Sequence, residues 1–341
     1  MPRGDPLRAL VAVVGATLLA VGTRWPGSLW RIDQWHALLL GSAWVLLWAR
    51  PAPLGAWRWV IAWSWPVVVV FRDAFGVAWL MGATWTLVGL AAAWMDARYV
   101  KTAVLAAAWW QVPWIAWQLG GGHALLWFDG AGSGWWGTVG GRAPVSALLG
   151  LAALWTAGGQ RWWWWLLAVG SQSWLGVVPV AAQWWWRARG RGWWLAGAAL
   201  VGYATWPAWG VKVSSRWRVW TAALPHTWPP VGCGTVRGAG FLGDGLTDRL
   251  LSWVDYHNTL LEAWARTGPW ALLLIGGLVW WSARRCGPWV TCWVLVVAGS
   301  ASWAAYPVLA WLTVLALTGG RDGVGDLSRH GEHAGRVAPA Q

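Results

Sequence analysis

Apolar runs separated by short charged joints recur along this chain from Leu7 to Leu317. Only 11% of its 341 residues are charged, whereas a soluble domain of this length carries roughly 25%. So few charges cannot cover a surface that faces water. A membrane span needs roughly 20 apolar residues to cross about 30 Å of hydrocarbon. The pattern therefore predicts an all-α, polytopic membrane protein with about 12 transmembrane helices.

The apolar runs also predict the order of the segments along the chain. Helices 1 to 9 are expected in 1–209, a long outer loop in 210–256, helices 10 to 12 in 257–318, and a polar, disordered cytoplasmic tail in 319–341. The spans are predicted near 7–22, 36–49, 54–71, 75–95, 102–118, 143–158, 162–172, 174–186, 192–209, 258–281, 287–303 and 305–318. Segment 162–186 is short for two full crossings, so Gly170-Ser171-Gln172-Ser173 is interpreted as a break between two tilted or partial helices.

The basic residues indicate an orientation. The chain has 25 Lys and Arg against 12 Asp and Glu, and short cytoplasmic loops of membrane proteins are enriched in Lys and Arg. With the N-terminus inside, most of the basic joints fall on the inner side, which predicts that both termini are cytoplasmic. Binding of nucleic acid would need a contiguous basic face, and the sequence shows none. Three Cys offer neither a disulfide framework nor a metal-binding spacing.

The loop 210–256 departs from this orientation rule because it is basic although it is predicted to lie outside. Five cations face three carboxylates there: Lys212, Arg216, Arg218, Arg237 and Arg249 against Asp244, Asp248 and Asp255. The planar guanidinium of Arg donates paired hydrogen bonds to phosphate oxygens. The loop is therefore either a binding site for an anionic substrate or a solvated segment with scattered charges.

Three short motifs follow one another in and after this loop. Ser214 and Ser215 precede Arg216, Trp220, Ala223 and Leu224 in a segment that reads as the start of a helix. Prolines and the turn Gly232-Cys233-Gly234 come next. His257-Asn258, with the only Asn of the chain, then opens the tenth predicted span, and Glu262 follows one turn later.

This order resembles the O-antigen ligase and O-antigen polymerase superfamily of bacterial membrane glycosyltransferases. Members show Gly-Arg-x-x-x-Trp-x-x-Ala-Leu, then Pro-Leu-x-Gly-x-Gly, then His-Asn at a late span. Here Ser215-Arg216 stands for Gly-Arg, with Trp220, Ala223 and Leu224 in place, and Gly232-x-Gly234 and His257-Asn258 follow in that order. Gly137-Thr138-Val139-Gly140 resembles the family's Gly-Thr-x-Gly-Asn-x-Asn element. The resemblance implies a multi-pass protein of the bacterial cytoplasmic (inner) membrane with a periplasmic active-site loop.

The chain departs from the family pattern in two places. Gly141 and Arg142 replace polar positions of the Gly-Thr-x-Gly element. Where the family often has Thr-x-Ser-Arg-Gly, this chain has Ser171-Gln172-Ser173-Trp174-Leu175. An arginine that could hold a pyrophosphate is therefore missing, and Arg142 is the predicted substitute.

The resemblance implies transfer of a glycan from a polyprenyl-pyrophosphate carrier to an acceptor hydroxyl, without metal or cofactor. His257 is the predicted catalytic base, since a histidine pKa lies near working pH. Arg216, with Arg218, Arg237 and Arg142, is predicted to bind the pyrophosphate. The supporting residues are Asn258, Trp220, Gly232, Gly234 and Glu262. The alternative is that His257 only caps its helix and that Glu262 pairs with Arg266 or acts as the base.

Several functions stay open at this point. A ligase would use a glycolipid acceptor such as lipid A–core of lipopolysaccharide, and a polymerase of the same superfamily would use another carrier-linked repeat. A transporter of lipid-linked glycans is a rival of another class, although transporters usually show inverted repeats and none is evident. A catalytically inactive relative is the remaining alternative because of the missing arginine.

Overall fold

The apolar segments that the structure describes fold as helices. In the computed structural model of the protein, the residues described are 6–22, 30–48, 91, 95, 97–121, 137–139, 141–187, 258–261, 276–277, 279–280, 282–284, 286–301 and 307–319. Within these ranges every regular element of secondary structure is an α-helix, and the described residues contain no strand. The expectation of an all-α chain is therefore confirmed for the part that the structure describes.

Eight helices of 13 residues or more lie within the described ranges. They are α1 Pro6–Val21, α2 Trp30–Trp48, α3 Ala97–Leu119, α4 Arg142–Trp155, α5 Gly158–Gly170, α6 Trp174–Arg187, α7 Pro288–Ser300 and α8 Pro307–Gly319.

The helices begin and end at residues suited to those positions. Gly287 precedes α7 with φ 78°, and Pro288 follows at the first helical position, where its missing N–H removes no hydrogen bond. Gly158 starts α5 with φ 59°. Between Gly170 and Trp174 the chain turns sharply, so the predicted break at 170–173 is confirmed.

Helix α4 lies at the centre of the bundle. Every residue from Pro144 to Leu154 is buried, and α4 packs against α3, α5, α6, α7 and α8. Two fully buried indoles stabilise this core with both carbon surface and a hydrogen bond. Trp293 Nε1 donates to the Ala147 carbonyl at 3.0 Å, and Trp311 Nε1 donates to Thr17 Oγ1 at 3.3 Å.

Contacts between helix ends give their directions. Helices α4 and α6 run parallel, because Ser146 contacts Ser173 and Gly150 contacts Gly176. Helix α7 runs antiparallel to α6, since Trp289 near its start meets Trp186 near the end of α6, with ring centroids 6.3 Å apart. The N-termini of α4 and α6 and the C-terminus of α7 therefore share one end of the bundle.

The prediction of about 12 membrane-spanning helices is wrong, as the lengths and the apolarity of the described helices show. Within the described ranges, none combines the length and the apolarity that crossing a bilayer requires. Six of them have 13 to 16 residues, or about 20–24 Å at 1.5 Å per residue, against about 30 Å of hydrocarbon. Helices α2 and α3 are longer, with 19 and 23 residues, but neither is apolar enough for a span.

The predicted location as a multi-pass protein of the bacterial inner membrane, with both termini cytoplasmic, depended on those spans and is corrected with them. The reason is that apolar segments of about 10 to 14 residues are more typical of buried core helices than of spans. Helix α4 shows this, since its apolar residues are buried against neighbouring helices. The predicted outer loop 210–256 and the predicted tail beyond Gly319 lie outside the described residues.

Candidate functional site

Two of the predicted site residues, Arg142 and Asn258, belong to the part of the chain that the structure describes. The others lie outside it: Arg216, Arg218, Trp220, Gly232, Gly234, Arg237, His257 and Glu262. The geometry therefore concerns the surroundings of Arg142 and Asn258, and the other assignments stay predictions.

Arg142 lies at the junction where the resemblance predicts an arginine that this sequence lacks. It is the first residue of α4, and its Nη1 donates a hydrogen bond to Gln172 Oε1 at 3.2 Å. Gln172 is in the turn between α5 and α6, within Ser171-Gln172-Ser173. Partial burial lowers the pKa of the Arg142 guanidinium from its ordinary value, although an arginine in a protein stays protonated at neutral pH. The junction thus holds a half-buried cation.

Ser146 connects α4 to the start of α6. Its hydroxyl donates to the Ser173 carbonyl at 2.7 Å and accepts from the Gly176 N–H at 3.2 Å. The second bond satisfies one of the N–H groups that the first turn of a helix leaves without an intrahelical partner. Arg142, Ser146 and Gly150 are spaced by four residues, so they lie on one face of α4, and this face meets α6.

The helix ends add positive potential at this junction. The N-termini of α4 and α6 both lie there, and neither helix has an acidic residue in its first turn. Each N-terminus carries a partial positive charge of roughly half a unit. A cation at such a position is unfavourable for the helix dipole, so Arg142 raises the local positive charge instead of balancing it. The arrangement is suited to an anion.

The turn at Gly137-Thr138-Val139 is anchored by two glutamines of α3. Gln111 Oε1 accepts from the Thr138 N–H at 2.8 Å, and its Nε2 donates to Thr138 Oγ1 at 3.0 Å. Gln118 Oε1 accepts from the Gly137 N–H at 3.2 Å. The Thr138 hydroxyl in turn donates to the Val21 carbonyl at the end of α1, at 2.8 Å. Gly137 has φ 55° and closely contacts Gln111, so a side chain there would collide.

Asn258 caps the helical turn that follows it. Its Oδ1 accepts from the backbone N–H groups of Leu260 at 3.0 Å and Leu261 at 3.2 Å, which is the geometry of an N-cap. Thr259 donates to the Ala301 carbonyl through both its N–H, at 3.1 Å, and its hydroxyl, at 2.7 Å. Asn258 is thereby held beside the C-terminus of α7.

These contacts bring separate parts of the sequence to one end of the bundle. Because α7 is antiparallel to α6 and Trp293 contacts Ala147, Ala301 lies toward the end where α4 begins. We call this end the polar end and define it by Thr138, Arg142, Gln172 and Asn258. Its described residues include parts of two stretches that carried the family resemblance, 137–140 and 257–258, and part of the stretch 171–175, where the chain departs from the family pattern.

Sequence reasoning missed Gln172 of the polar end and three residues that hydrogen-bond the turns beside it, Gln111, Gln118 and Ser146. The spacing of four between Arg142 and Ser146 was a visible signal, since it puts two polar side chains on one face of an apolar helix. Gln111 and Gln118 are seven apart, or two helical turns, which also indicates a shared face. Nothing in the sequence pairs Gln172 with Arg142 across 30 residues.

In comparisons with protein-family models, with curated proteins and with solved structures, none matches this chain. The family resemblance therefore depends on the motifs themselves. Among the described residues, no group of three His, Cys, Asp or Glu side chains is arranged to hold a metal ion.

Proposed function

We propose that this chain is a glycosyltransferase that moves a glycan from a polyprenyl-pyrophosphate carrier to an acceptor hydroxyl. The observation that supports the proposal most is the position of Arg142. It is hydrogen-bonded to Gln172 in the turn where the resemblance expects an arginine that could hold pyrophosphate. A cation from one helix thus lies where the family pattern expects one from another.

The proposed reaction requires little of the protein. The acceptor oxygen attacks the anomeric carbon of the glycan, the bond from that carbon to the pyrophosphate oxygen breaks, and the pyrophosphate leaves with the electron pair. His257 takes the proton from the acceptor hydroxyl. Arg142 and the N-termini of α4 and α6 stabilise the negative charge on the leaving pyrophosphate, together with Arg216 of the loop.

The position of Asn258 fits this assignment of roles. It caps the helical turn at 259–261 and is held to Ala301, toward the same end as Arg142. His257 is its neighbour in the sequence. The capping bonds fix the helical turn 259–261 that follows the proposed base, as a positioned proton acceptor requires.

The test is a transfer assay on the purified full chain. A glycan on polyprenyl pyrophosphate is supplied with a glycolipid acceptor or with a second carrier-linked glycan, and the glycan attached to the acceptor is counted. We expect transfer that falls at least about 100-fold in His257→Ala, as for loss of a general base, and about tenfold or more in Arg142→Ala and Arg216→Ala. Arg8→Ala is the matched control, since Arg8 is exposed near the start of α1.

The acceptor that receives the glycan distinguishes the ligase from the polymerase reaction. Transfer that is equally fast in parent and Arg142→Ala would remove Arg142 from the site, and transfer undiminished in His257→Ala would remove the base. A chain that transfers to neither acceptor would refute the proposed enzyme and favour the transporter or the inactive relative.

A further inference from the structure

Gln172 has a backbone conformation that its residue type disfavours. Its φ is 56°, and among the described residues it is the only non-glycine with a positive φ. A Cβ makes this left-handed region unfavourable, and Gly or Asn usually occupies it. Such an outlier suggests that the side chain is needed where it is.

The end of α5 does not explain why glutamine occupies this position. The Ser171 N–H donates to the Leu167 carbonyl at 3.2 Å, and the Gln172 N–H donates to the Val169 carbonyl at 2.9 Å. Both bonds involve backbone atoms alone, and they are typical of a helix C-terminus, where a left-handed glycine is preferred. Glycine would thus end α5 with less strain, and the choice of glutamine points to the side chain.

The side chain of Gln172 contacts the proposed pyrophosphate ligand. Its Oε1 accepts the hydrogen bond from Arg142 Nη1 at 3.2 Å. A bond to a charged donor is stronger than one between neutral groups. It also fixes the direction of the planar guanidinium, which binds phosphate oxygens through paired N–H groups. The neutral amide does this without cancelling the positive charge, as a carboxylate would.

We propose that Gln172 is a positioning residue, which orients the Arg142 guanidinium toward a bound pyrophosphate and is retained in a left-handed conformation for that purpose. This inference rests on the proposed function, because the pyrophosphate site is part of it. In the family pattern the arginine itself belongs to this junction. Here the junction provides the amide that holds an arginine from α4.

The experiment measures binding of inorganic pyrophosphate to the purified full chain by titration calorimetry, with thermal unfolding in parallel. Gln172→Gly removes the amide and suits the left-handed backbone. Gln172→Asn also tolerates that backbone, but its amide is shorter by one methylene and does not reach Arg142. Gln172→Glu keeps the length and adds a charge that pairs with Arg142. Arg142→Ala and the double variant Arg142→Ala with Gln172→Gly complete a double-mutant cycle, which measures the coupling between the two side chains.

We expect Gln172→Gly and Gln172→Asn to unfold at or above the temperature of the parent and to bind pyrophosphate about tenfold more weakly, the loss expected for one charge-assisted hydrogen bond. Gln172→Glu should bind more weakly still. In the Arg142→Ala background, Gln172→Gly should change the pyrophosphate affinity less than twofold. In the transfer assay the single variants should raise KM for the carrier more than they lower kcat.

Three results would overturn the proposal. They are unchanged pyrophosphate affinity in Gln172→Gly, an equal loss of affinity with and without Arg142, and a lower unfolding temperature for both Gln172→Gly and Gln172→Asn. A parent that binds no pyrophosphate would overturn the positioning role together with the proposed site. A parent that binds pyrophosphate through Arg142 and Gln172 but transfers no glycan would refute the proposed enzyme while supporting the role of Gln172.

Discussion

One arginine lies at each end of helix α4, and the dipole of α4 acts on the two positive charges in opposite ways. At the C-terminal end, Arg161 of α5 donates through Nε to the carbonyls of Ala153 at 3.2 Å and Thr156 at 2.9 Å. These are orphan carbonyls of the last turn, where the helix dipole favours a cation. At the N-terminal end, Arg142 is placed where the same dipole disfavours a cation.

The difference separates a residue that stabilises the fold from one that the fold tolerates. Arg161 donates hydrogen bonds to backbone carbonyls and lies where the dipole of α4 favours a positive charge. Its contribution to folding therefore explains its presence. Arg142 is half-buried and lies at the positive end of α4, so the dipole and its partial desolvation both disfavour its charge. A ligand of negative charge would reverse that balance. The contrast predicts different responses of stability and pyrophosphate binding to substitution at each end.

The largest effect is expected where α4 and α6 are closest, since this packing brings Arg142 to Gln172. A Cβ added at Gly176 would collide with the Ser146 carbonyl and the backbone of Gly150. We expect Gly176→Ala to lower the free energy of unfolding by about 3 kcal/mol, at the upper end of the cost of overpacking. Chemical denaturation followed by circular dichroism measures it.

Gly159→Ala is the matched control, since nothing lies within 4 Å of a Cβ added there. Alanine is the better helix former by up to about 1 kcal/mol, so this variant should be as stable as the parent or more so. If Gly176→Ala were as stable as the parent, the fold would not need the close contact of α4 and α6. The placement of Arg142 beside Gln172, which the comparison of the two ends of α4 assumes, would then be in error.

A smaller effect is expected from Arg161→Ala. The substitution leaves the Ala153 and Thr156 carbonyls without this donor and removes a cation that favours the dipole of α4. We expect the free energy of unfolding to fall by about 1–2 kcal/mol and the affinity for inorganic pyrophosphate to stay within twofold of the parent. Loss of pyrophosphate binding with no change in stability would show that the two arginines had been assigned to the wrong roles.

The sequence predicted the positions of the helices more successfully than it predicted what surrounds them. Periodic apolar runs ended by Gly, Pro and Ser gave α5, α6 and the turn between them to within a few residues. The twelve spans were wrong because apolar character reports removal from water and does not say what replaces it. An apolar helix such as α4 satisfies the same pattern when its neighbours are other helices.

Prediction of the site was limited by long-range pairing. Arg142 is the predicted substitute cation because it lies on a predicted outer joint and the expected arginine is absent. Its hydrogen bond to Gln172 spans 30 residues, and the bonds of Gln111 to Thr138 span 27. Such pairs depend on how helices pack, which local periodicity does not contain. The sequence also does not predict the positive φ of Gln172, because glutamine is not a typical left-handed residue.

The smallest effect on stability, and the sharpest contrast with Arg161, is expected from Arg142→Gln. The substitution removes the hydrogen bond to Gln172, which costs about 1.5 kcal/mol, the lower end of the range for a charged donor. It also removes an unfavourable interaction with the dipole of α4, worth about 0.3–1 kcal/mol, and the partial desolvation of a cation. These terms oppose one another, so the free energy of unfolding should stay within about 0.5 kcal/mol of the parent. Pyrophosphate affinity should nevertheless fall by about tenfold or more.

Salt offers an independent check on the same variant. Because added ions screen the interaction between Arg142 and the dipole, the stability of Arg142→Gln relative to the parent should be highest at low ionic strength and should decline as salt is added. A loss of more than about 1 kcal/mol at every salt concentration, comparable to Arg161→Ala, would mean that Arg142 stabilises its end of α4 as Arg161 does the other. The argument that Arg142 is retained for an anionic ligand would then fail, because folding alone would account for both arginines.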